Sequence, residues 1–496
     1  MKLCNIGHSF DYETEKLIRI FLPFEKIEIL HSFEEGENTA VCRVEELSNG
    51  AKITSKLTLL QKNAEYSQII DRSETPIESF EKKCERAVAN TLFDCFAKLT
   101  GYRSPWGILT GVRPARLFSR TVAALGEGKA RERFLNELYV SRNKISLCEQ
   151  SHKGEGKIIE LSRPESFSLY VSIPFCPTRC NYCSFVSHSV EKAGELIPDY
   201  IEHLCKELVE TAKIVKSIGL KLETVYVGGG TPTAISAGLL GRVLETVREN
   251  FDMSSIREFT VEAGRPDTVT KEKLAVIKNS GATRISINPQ TMNDSVLQTI
   301  GRKHTAKQMR EAFALAREMG FDNINTDLIA GLSGDTFESF CATVEEILKL
   351  DPESVTVHSL SMKRASTITV LGELPDIKAG AEATKMVEYA RKRLGENNIL
   401  PYYMYRQSKT VGNLENVGYA KEGFECLYNV YIMDETHTIL ACGASAVTKL
   451  REPGGDNIER IFNYKYPYEY ISRFGDMLQR KQGVYDFYNK YKTKGI

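Results

Sequence analysis

Between residues 165 and 370 the chain alternates short β-branched runs with amphipathic helical runs, and this alternation limits the possible folds more than any other feature. The strand-like runs are SFSLYVSIP, LETVYVGGG, REFTVEA, TRISIN, DNINTDLIAG and ESVTVHSLS. Apolar strands that alternate with helices indicate a parallel sheet covered by helices. Because six such units are fewer than the eight of a closed barrel, we predict a curved, partial (β/α)6 TIM-like barrel. Functional residues are expected at the C-terminal ends of its strands.

The flanking segments predict two further parts, which makes the whole chain an α/β protein. Residues 1–160 mix helical text such as DYETEKLIRIFL with strands such as NTAVCRVEEL, and we interpret them as an N-terminal α+β domain. Residues 371–496 form a C-terminal α/β extension. In it PYYMYRQ, CLYNVYIM and HTILACG resemble antiparallel strands, and YPYEYISRFGDMLQRK resembles a closing helix.

Charge and composition narrow the functional classes. Lys and Arg total 65, as do Asp and Glu, so the net charge is zero, which argues against general nucleic-acid binding. The N-terminal residues lack the apolar region of a secretory signal, and no run of 18 apolar residues predicts a membrane span. We therefore expect a cytoplasmic protein. Its 12 cysteines are then not a disulfide framework, and most of them are expected to be small buried hydrophobic residues.

Cys176, Cys180 and Cys183 differ from the other cysteines because they are clustered with C-x3-C-x2-C spacing directly after the first predicted barrel strand. A structural zinc site would need four ligands, and the nearest additional candidate, His188, fits poorly. A disulfide would leave one thiol over. A 4Fe–4S cluster held by three thiolates keeps one iron open for another ligand. The spacing therefore favours such a cluster over zinc or inert thiols.

This motif, with Tyr182 before the third cysteine, resembles that of the radical S-adenosylmethionine (SAM) superfamily. The resemblance implies that SAM binds the open iron and that one electron cleaves it to a 5′-deoxyadenosyl radical, which removes hydrogen from a substrate. It also implies a set of SAM-binding residues on successive strands. These are Tyr170, Tyr182, Gly228, Gly229, Gly230, Thr231, Glu262, Gln290, Arg302 and Asp327.

The resemblance assigns particular roles within this set. The GGGT turn would hold the methionine end of SAM, Glu262 the ribose and Arg302 the SAM carboxylate, while Asp327 would add a second contact. Each residue also has an ordinary structural interpretation, such as a tight turn, a salt-bridged acid or a solvated arginine. The chain departs from the family pattern at Gly264-Arg265-Pro266, before Gln290 and at Ser333.

The runs LYVSIPFC, YVGGGTPT, GRKH and DLIAGL together resemble the oxygen-independent coproporphyrinogen III oxidase branch, and WGILTGVRPARL its HemZ-type subgroup. The resemblance implies oxidative decarboxylation of coproporphyrinogen III to protoporphyrinogen IX in heme biosynthesis. A flavodoxin or ferredoxin would be the electron donor. Candidate anchors for the substrate carboxylates are cationic residues near the functional end. These are Arg113, Arg116, His358, Lys363 and Arg364.

Two features separate the chain from the established groups of this branch. Established oxidases carry a further cysteine where this chain has Phe185. Heme-chaperone relatives have phenylalanine there, but they carry a His-Asn-x-x-Tyr-Trp motif that this sequence lacks, since its single tryptophan is Trp106. A heme-binding chaperone and a radical SAM enzyme with another substrate therefore remain alternatives. We also predict that residues 1–160 cover the mouth of the barrel.

Overall fold

The N-terminal part of the computed structural model is a five-stranded sheet with two helices. The structure describes residues 1–73, 78–111, 113–183, 187–361, 377–407 and 409–492. The strands are β1 (Lys2–Ile6), β2 (Glu28–Leu30), β3 (Thr39–Leu47), β4 (Gly50–Leu59) and β5 (Lys62–Asp71), in the order β2-β1-β3-β4-β5. The helices α1 (Asp11–Phe21) and α2 (Phe80–Thr100) share one apolar core with this sheet. Helix α2 ends at Gly101, whose left-handed backbone (φ 70°) stops the helix.

The next segment leaves this core and joins a second one. It contains α3 (Pro114–Leu125), α4 (Glu127–Glu132), a π-helical turn (Arg133–Glu137) and α5 (Arg142–Ile159). Trp106, Phe118, Phe134 and Leu147 pack in the same buried cluster as the barrel strands. Residues from Trp106 onward are thus packed with the barrel, and the domain boundary at residue 160 stays a prediction.

Six parallel strands in chain order form the centre of the main sheet, which confirms the predicted α/β fold with its six strand–helix units. From residue 166 the strands are β6 (Ser166–Ile173), β7 (Phe175–Cys176), β8 (His188–Ser189), β9 (Lys221–Gly229), β10 (Glu258–Gly264), β11 (Arg284–Ile287), β12 (Ile324–Ala330), β13 (Ser354–Ser359), β14 (Leu400–Arg406), β15 (Glu415–Ala420), β16 (Thr438–Cys442), β17 (Val447–Arg451) and β18 (Ile458–Phe462). The sheet order is β14-β15-β13-β12-β11-β10-β9-β6-β16-β17-β18.

Helices follow the parallel strands, as the sequence predicts. From residue 190 they are α6 (Val190–Ala193), α7 (Ile197–Ile218), α8 (Ala237–Asn250), α9 (Lys271–Asn279), α10 (Asp294–Thr299), α11 (Ala306–Glu318), α12 (Phe337–Leu350), α13 (Ile377–Glu396), α14 (Leu427–Asp434), α15 (Pro467–Ser472) and α16 (Phe474–Lys492). Among the helices that the structure describes, none is both long enough and apolar enough to cross a membrane.

The C-terminal extension adds strands at both edges of the barrel, and here one prediction was wrong. The predicted strand CLYNVYIM is helix α14 instead. The carboxylate of Glu258, at the start of β10, accepts hydrogen bonds from the backbone N–H groups of Leu427 (2.7 Å) and Tyr428 (3.3 Å), which fixes the N-terminus of this helix. Strand β16, predicted as an antiparallel strand, pairs antiparallel with β17 on one side and parallel with β6 on the other, because the preceding chain crosses to the opposite edge of the sheet before it pairs.

Candidate active site

A cavity of about 550 Å³ lies inside the barrel and reaches the loops at the C-terminal ends of its strands. It brings together every SAM or cluster residue predicted from the sequence except Gly228. The predicted residues that line it are Tyr170, Cys176, Cys180, Tyr182, Cys183, Gly229, Gly230, Thr231, Glu262, Gln290, Arg302 and Asp327. Their convergence on one space follows from the parallel strands, whose C-terminal ends all point to the same side.

The loop of three cysteines is attached to the segment that carries Arg302. The backbone N–H of Asn181 donates to the carbonyl of Ile300 (3.0 Å), and its side-chain amide donates to the carbonyl of Thr299 (2.9 Å). The N–H of Cys183 closes a turn on the carbonyl of Cys180 (3.1 Å). These bonds hold the thiols at the cavity without using the thiols themselves.

Arg265, a departure from the family pattern, also holds this loop. Its guanidinium forms a two-point ion pair with Asp267 (Nε–Oδ1 3.0 Å, Nη2–Oδ2 2.8 Å). A further N–H donates to the hydroxyl of Thr178 (2.6 Å), which lies between the first two cysteines. Arg265 is 2% exposed, so the sequence departure places a buried clamp between β10 and the cysteine loop.

The glycine-rich turn after β9 lies directly against the cysteine loop. The N–H groups of Gly230 and Thr231 donate to the carbonyls of Ile173 (2.9 Å) and Phe175 (2.8 Å). A Cβ atom on Gly230 would lie 2.6 Å from the Phe175 carbonyl oxygen, so no larger residue fits there. Gly228 does not line the cavity, but a Cβ there would lie 3.0 Å from the carboxyl carbon of Glu262. It therefore leaves space for that acid.

The two predicted acids have different environments. Glu262 accepts a hydrogen bond from the Tyr226 hydroxyl (2.6 Å), and burial raises its pKa to about 7. Burial also disfavours the charged form of Asp327, but hydrogen bonds from His358 and Asn325 outweigh it and lower the pKa of Asp327. The Asn325 amide donates to Asp327 at 2.8 Å. Near neutral pH the site thus holds one fixed negative charge and one carboxyl that can be neutral or charged.

Gln290 and Arg302 complete the predicted set. Gln290 adopts a left-handed backbone (φ 70°), which is uncommon for a residue with a side chain, and its Oε1 atom is buried without a hydrogen-bond partner in the described chain. Arg302 donates to the Tyr182 hydroxyl (3.2 Å) and to the carbonyl of Asn288 (2.5 Å). The strained backbone aims an unused acceptor at the cavity, beside a guanidinium fixed at the cysteine loop.

Comparison with known proteins identifies the family. The Radical SAM superfamily model matches residues 170–347. The oxygen-independent coproporphyrinogen-III oxidase-like protein HemZ of Bacillus subtilis (strain 168) is 38% identical over 402 residues, which cover 79% of this chain and 80% of that protein. The chain belongs to the HemN-like branch of the radical SAM superfamily. As in that superfamily, the cofactors of this radical SAM protein are a 4Fe–4S cluster and SAM.

This radical SAM protein is also similar to a second curated relative and to a solved structure. The heme chaperone HemW of Bacillus subtilis (strain 168) is 32% identical over 284 residues, covering 56% of this chain and 70% of that protein. The structure of coproporphyrinogen III oxidase (HemN) from Escherichia coli matches with a TM-score of 0.50 and 20% identity, over 65% of this chain and 72% of that chain. The structural likeness concerns the fold alone.

The residues at the cavity suit the two cofactors. Within the described residues, no three His, Cys, Asp or Glu side chains lie close enough to share a single metal ion. The three thiols nevertheless line one cavity, as suits a cluster that gives each thiolate its own iron. The unpaired Gln290 Oε1 and the backbone of the GGGT turn offer acceptors and donors to a polar ligand beside them.

The C-terminal extension adds a wall to the site of this radical SAM protein that the sequence did not predict. Tyr403, Tyr405, Tyr428 and Lys449 all line the cavity. The Tyr428 ring stacks on Tyr226 with centroids 4.6 Å apart and planes 24° apart. The alternating tyrosines in PYYMYRQ were the available signal, since a strand places every second residue on the same face.

The predicted substrate anchors have different outcomes. His358 lines the cavity. Arg113 and Arg116 instead pair with Glu435 (2.5 and 3.5 Å) and do not line it. Lys363, Arg364 and Phe185 lie outside the described residues. No described residue between 1 and 160 lines the cavity, and a cover over its mouth stays a prediction.

Proposed function

We propose that this protein is a radical SAM oxidoreductase that decarboxylates propionate groups of coproporphyrinogen III to the vinyl groups of protoporphyrinogen IX. One observation carries the proposal: the cavity that collects the cofactor residues also has a second wall, built by the C-terminal extension, with three tyrosines and Lys449. Apolar rings with polar edges suit pyrrole rings, and the ammonium group of Lys449 suits a carboxylate. The extensive similarity to HemZ points the same way.

The overall change at each propionate is an oxidation. The side chain loses one hydrogen atom from the carbon next to the ring, then carbon dioxide and one electron, and a vinyl group remains. The cluster and SAM, when bound, would supply the one-electron chemistry that removes this hydrogen atom. An electron donor of the flavodoxin or ferredoxin type would deliver the initial electron, and an external acceptor would take the last one.

The chain's own residues would bind and orient both molecules. Arg302 and Gln290 would hold polar groups of SAM near the cysteine loop. Glu262 would accept a hydrogen bond from a ribose hydroxyl once ionised. Tyr226 and Tyr428 would pack against the pyrrole rings and keep water away from the reacting carbon.

The test is an anaerobic turnover assay. Reconstituted protein receives dithionite, SAM and coproporphyrinogen III, and mass spectrometry follows 5′-deoxyadenosine and the porphyrin products. Cys176→Ala serves as the control, because it lacks one of the three thiolates that would bind the cluster. Formation of protoporphyrinogen together with 5′-deoxyadenosine supports the proposal, whereas 5′-deoxyadenosine without any decarboxylated porphyrin contradicts it.

Heme binding is a second candidate, favoured by the 32% identity to the heme chaperone HemW. Adding hemin to the reconstituted protein and separating free from bound heme by gel filtration distinguishes the two. A stable 1:1 heme complex in a protein that releases no decarboxylated product would favour the chaperone. Turnover of the porphyrinogen would exclude heme carriage as its only activity.

A further inference from the structure

Arg284 differs from the other arginines that line the cavity. Arg265 is saturated by Asp267 and Thr178, and Arg302 is held by Tyr182 and Asn288. Arg284 donates one hydrogen bond, from Nη2 to the hydroxyl of Ser354 (2.8 Å). Its Nε and Nη1 atoms are buried and have no hydrogen-bond partner in the described chain. The guanidinium therefore retains unused donors although only 2% of the residue is exposed.

None of the ion pairs among the described residues includes Arg284, although the charge of Glu258 favours the guanidinium through space. Thr260 pairs with Arg284 across β10 and β11, and the two acids nearest in that register, Glu258 and Glu262, lie two positions before and after Thr260. The carboxylate of Glu258 accepts from the N–H groups of Leu427 and Tyr428, at 2.7 and 3.3 Å, and that of Glu262 accepts from the Tyr226 hydroxyl. A buried guanidinium without a paired anion is costly, so such a residue usually has a partner that arrives later or a function.

Other side chains that line this cavity are also incompletely bonded. Thr260, which pairs with Arg284, has a buried Oγ1 without a partner in the described chain. Asn416, which bonds Ser359 at the opposite end of β13, has a buried Nδ2 without one. A hydroxyl and an amide N–H can each donate to an anion. Buried polar groups are nearly always hydrogen-bonded in folded proteins, and a cluster of exceptions around one cavity indicates a missing polar ligand.

The position of Arg284 separates it from the SAM residues. It is the first residue of β11, whereas Gln290 and Arg302 follow the C-terminal end of that strand. The cysteine loop is attached near Arg302 through Tyr182. Arg284 thus lies at the end of the barrel interior away from the cluster loop, where Tyr402, Tyr403 and helix α14 pack.

We propose that Arg284 binds a carboxylate of the substrate at the inner end of the cavity. The proposal rests on the proposed function, because that function supplies a substrate with several carboxylates. A carboxylate matches the unused N–H groups in charge and geometry, and its hydrogen bonds to a guanidinium are stronger than those between neutral groups. Held there, one carboxylate would fix which other side chain of the same molecule faces the cluster.

Binding of a fluorescent porphyrin tests this directly. Coproporphyrin III, the oxidised form of the substrate, and its tetramethyl ester are titrated against the reconstituted protein with SAM. We expect Arg284→Met to weaken binding of the free acid at least tenfold and to leave binding of the ester unchanged. Arg310→Met, which removes an exposed arginine paired with Glu346 on the outside, should change neither. Equal affinity of Arg284→Met and the unchanged protein for the free acid overturns the proposal.

A second measurement separates this proposal from the proposed function. Thermal unfolding of the protein without porphyrin is followed in sodium propionate and in sodium chloride at equal ionic strength. We expect propionate to raise the Tm of the unchanged protein but not that of Arg284→Met. If both respond alike and Arg284→Met melts at a lower temperature, Arg284 is only structural and the proposal is wrong. A propionate response without any coproporphyrin binding would support the carboxylate site and contradict the porphyrinogen substrate.

Discussion

Arg265 donates a 2.6 Å hydrogen bond to the hydroxyl of Thr178 and thereby connects strand β10 to the cysteine loop. The same guanidinium is fixed from behind by two contacts with Asp267. A residue that departs from the family pattern thus contributes, with Asn181, to holding the cysteine loop in place.

Replacing Arg265 should therefore impair cluster loading. We expect Arg265→Met to lower the free energy of unfolding by about 1–2 kcal/mol, because it removes the hydrogen bond to Thr178 and the pair with the solvent-accessible Asp267, and to reduce iron bound after reconstitution. Urea denaturation and iron analysis measure the two effects. In the double variant Arg265→Met/Asp267→Asn iron binding should stay low. Full iron content in Arg265→Met would show that the clamp is dispensable for loading.

Glu262 should make both stability and SAM binding depend on pH. Its pKa is raised to about 7 in the folded chain, so its contribution to stability is complete below its unfolded pKa and is lost as the pH rises through 7. We expect Glu262→Gln to remove a decline of about 1–2 kcal/mol between pH 5 and 8 in unfolding experiments without ligand. SAM affinity should rise over pH 6–8 in the unchanged protein and stay flat in the variant. Identical pH profiles for the two proteins would argue against this assignment.

Because the backbone of Gln290 is strained, replacing this residue should change protein stability and SAM affinity in different directions. Gln290→Gly removes the side chain from a left-handed position, so we expect the protein to gain about 1 kcal/mol in unfolding free energy while its SAM affinity falls. Gln290→Ala keeps a Cβ at that position, and should lose SAM affinity without the gain. Calorimetric titration with SAM and urea unfolding give both values. A loss of stability in Gln290→Gly would mean that the side chain itself stabilises the fold.

A buried ion pair joins α5 to the edge of the barrel. Lys144 Nζ lies 2.6 Å from both Glu415 and Glu388, and Trp106 donates to the other oxygen of Glu415 at 2.6 Å. Burial opposes ionisation of Glu415, but the Lys144 charge outweighs it and lowers the pKa of Glu415. The stability it contributes is therefore present above its unfolded pKa and lost in acid.

We expect Lys144→Met to cost about 3 kcal/mol at pH 7, since it leaves a buried carboxylate without its cation. Adding Glu415→Gln should recover part of this loss. Lys157→Met on the same helix removes a solvent-exposed pair with Glu422 and should change stability by less than about 0.5 kcal/mol. Urea unfolding monitored by Trp106 fluorescence measures all of them. Similar losses for the two lysine variants would contradict this view of the interface.

The barrel and most of its site were predictable because their signals are local. A parallel strand fixes both the direction of its C-terminal end and the face of each residue, so motifs such as GGGT and the cysteine loop must meet. The residues that line the cavity from β6 to β13 follow from this rule. Gly228 lies beside the cavity, and a glycine is needed there because a side chain would take the space of Glu262.

The cavity wall that the C-terminal extension adds could not be predicted in the same way because long-range contacts determine it. The aromatic and β-branched run around Tyr428 favours a strand by propensity, but the Glu258 carboxylate binds its N–H groups and fixes a helix start. The sequence suggested Arg113 as a substrate anchor, but in the structure Arg113 forms an ion pair with Glu435. Neither partner is near in sequence.

The pairing of β16 with β6 can form only late in the synthesis of this protein, because β16 lies far behind β6 in the chain. Ala441 lies opposite Tyr170 in that ladder, and α14 fills the barrel beside it. During synthesis the cysteine loop emerges long before these residues, so the thiols exist for a time in a barrel that still lacks one wall. At that stage the thiols face an open groove, whereas in the complete fold they line the cavity. Iron and sulfide supplied before the last quarter of the chain folds would therefore have a different access to the thiols than iron and sulfide supplied afterwards.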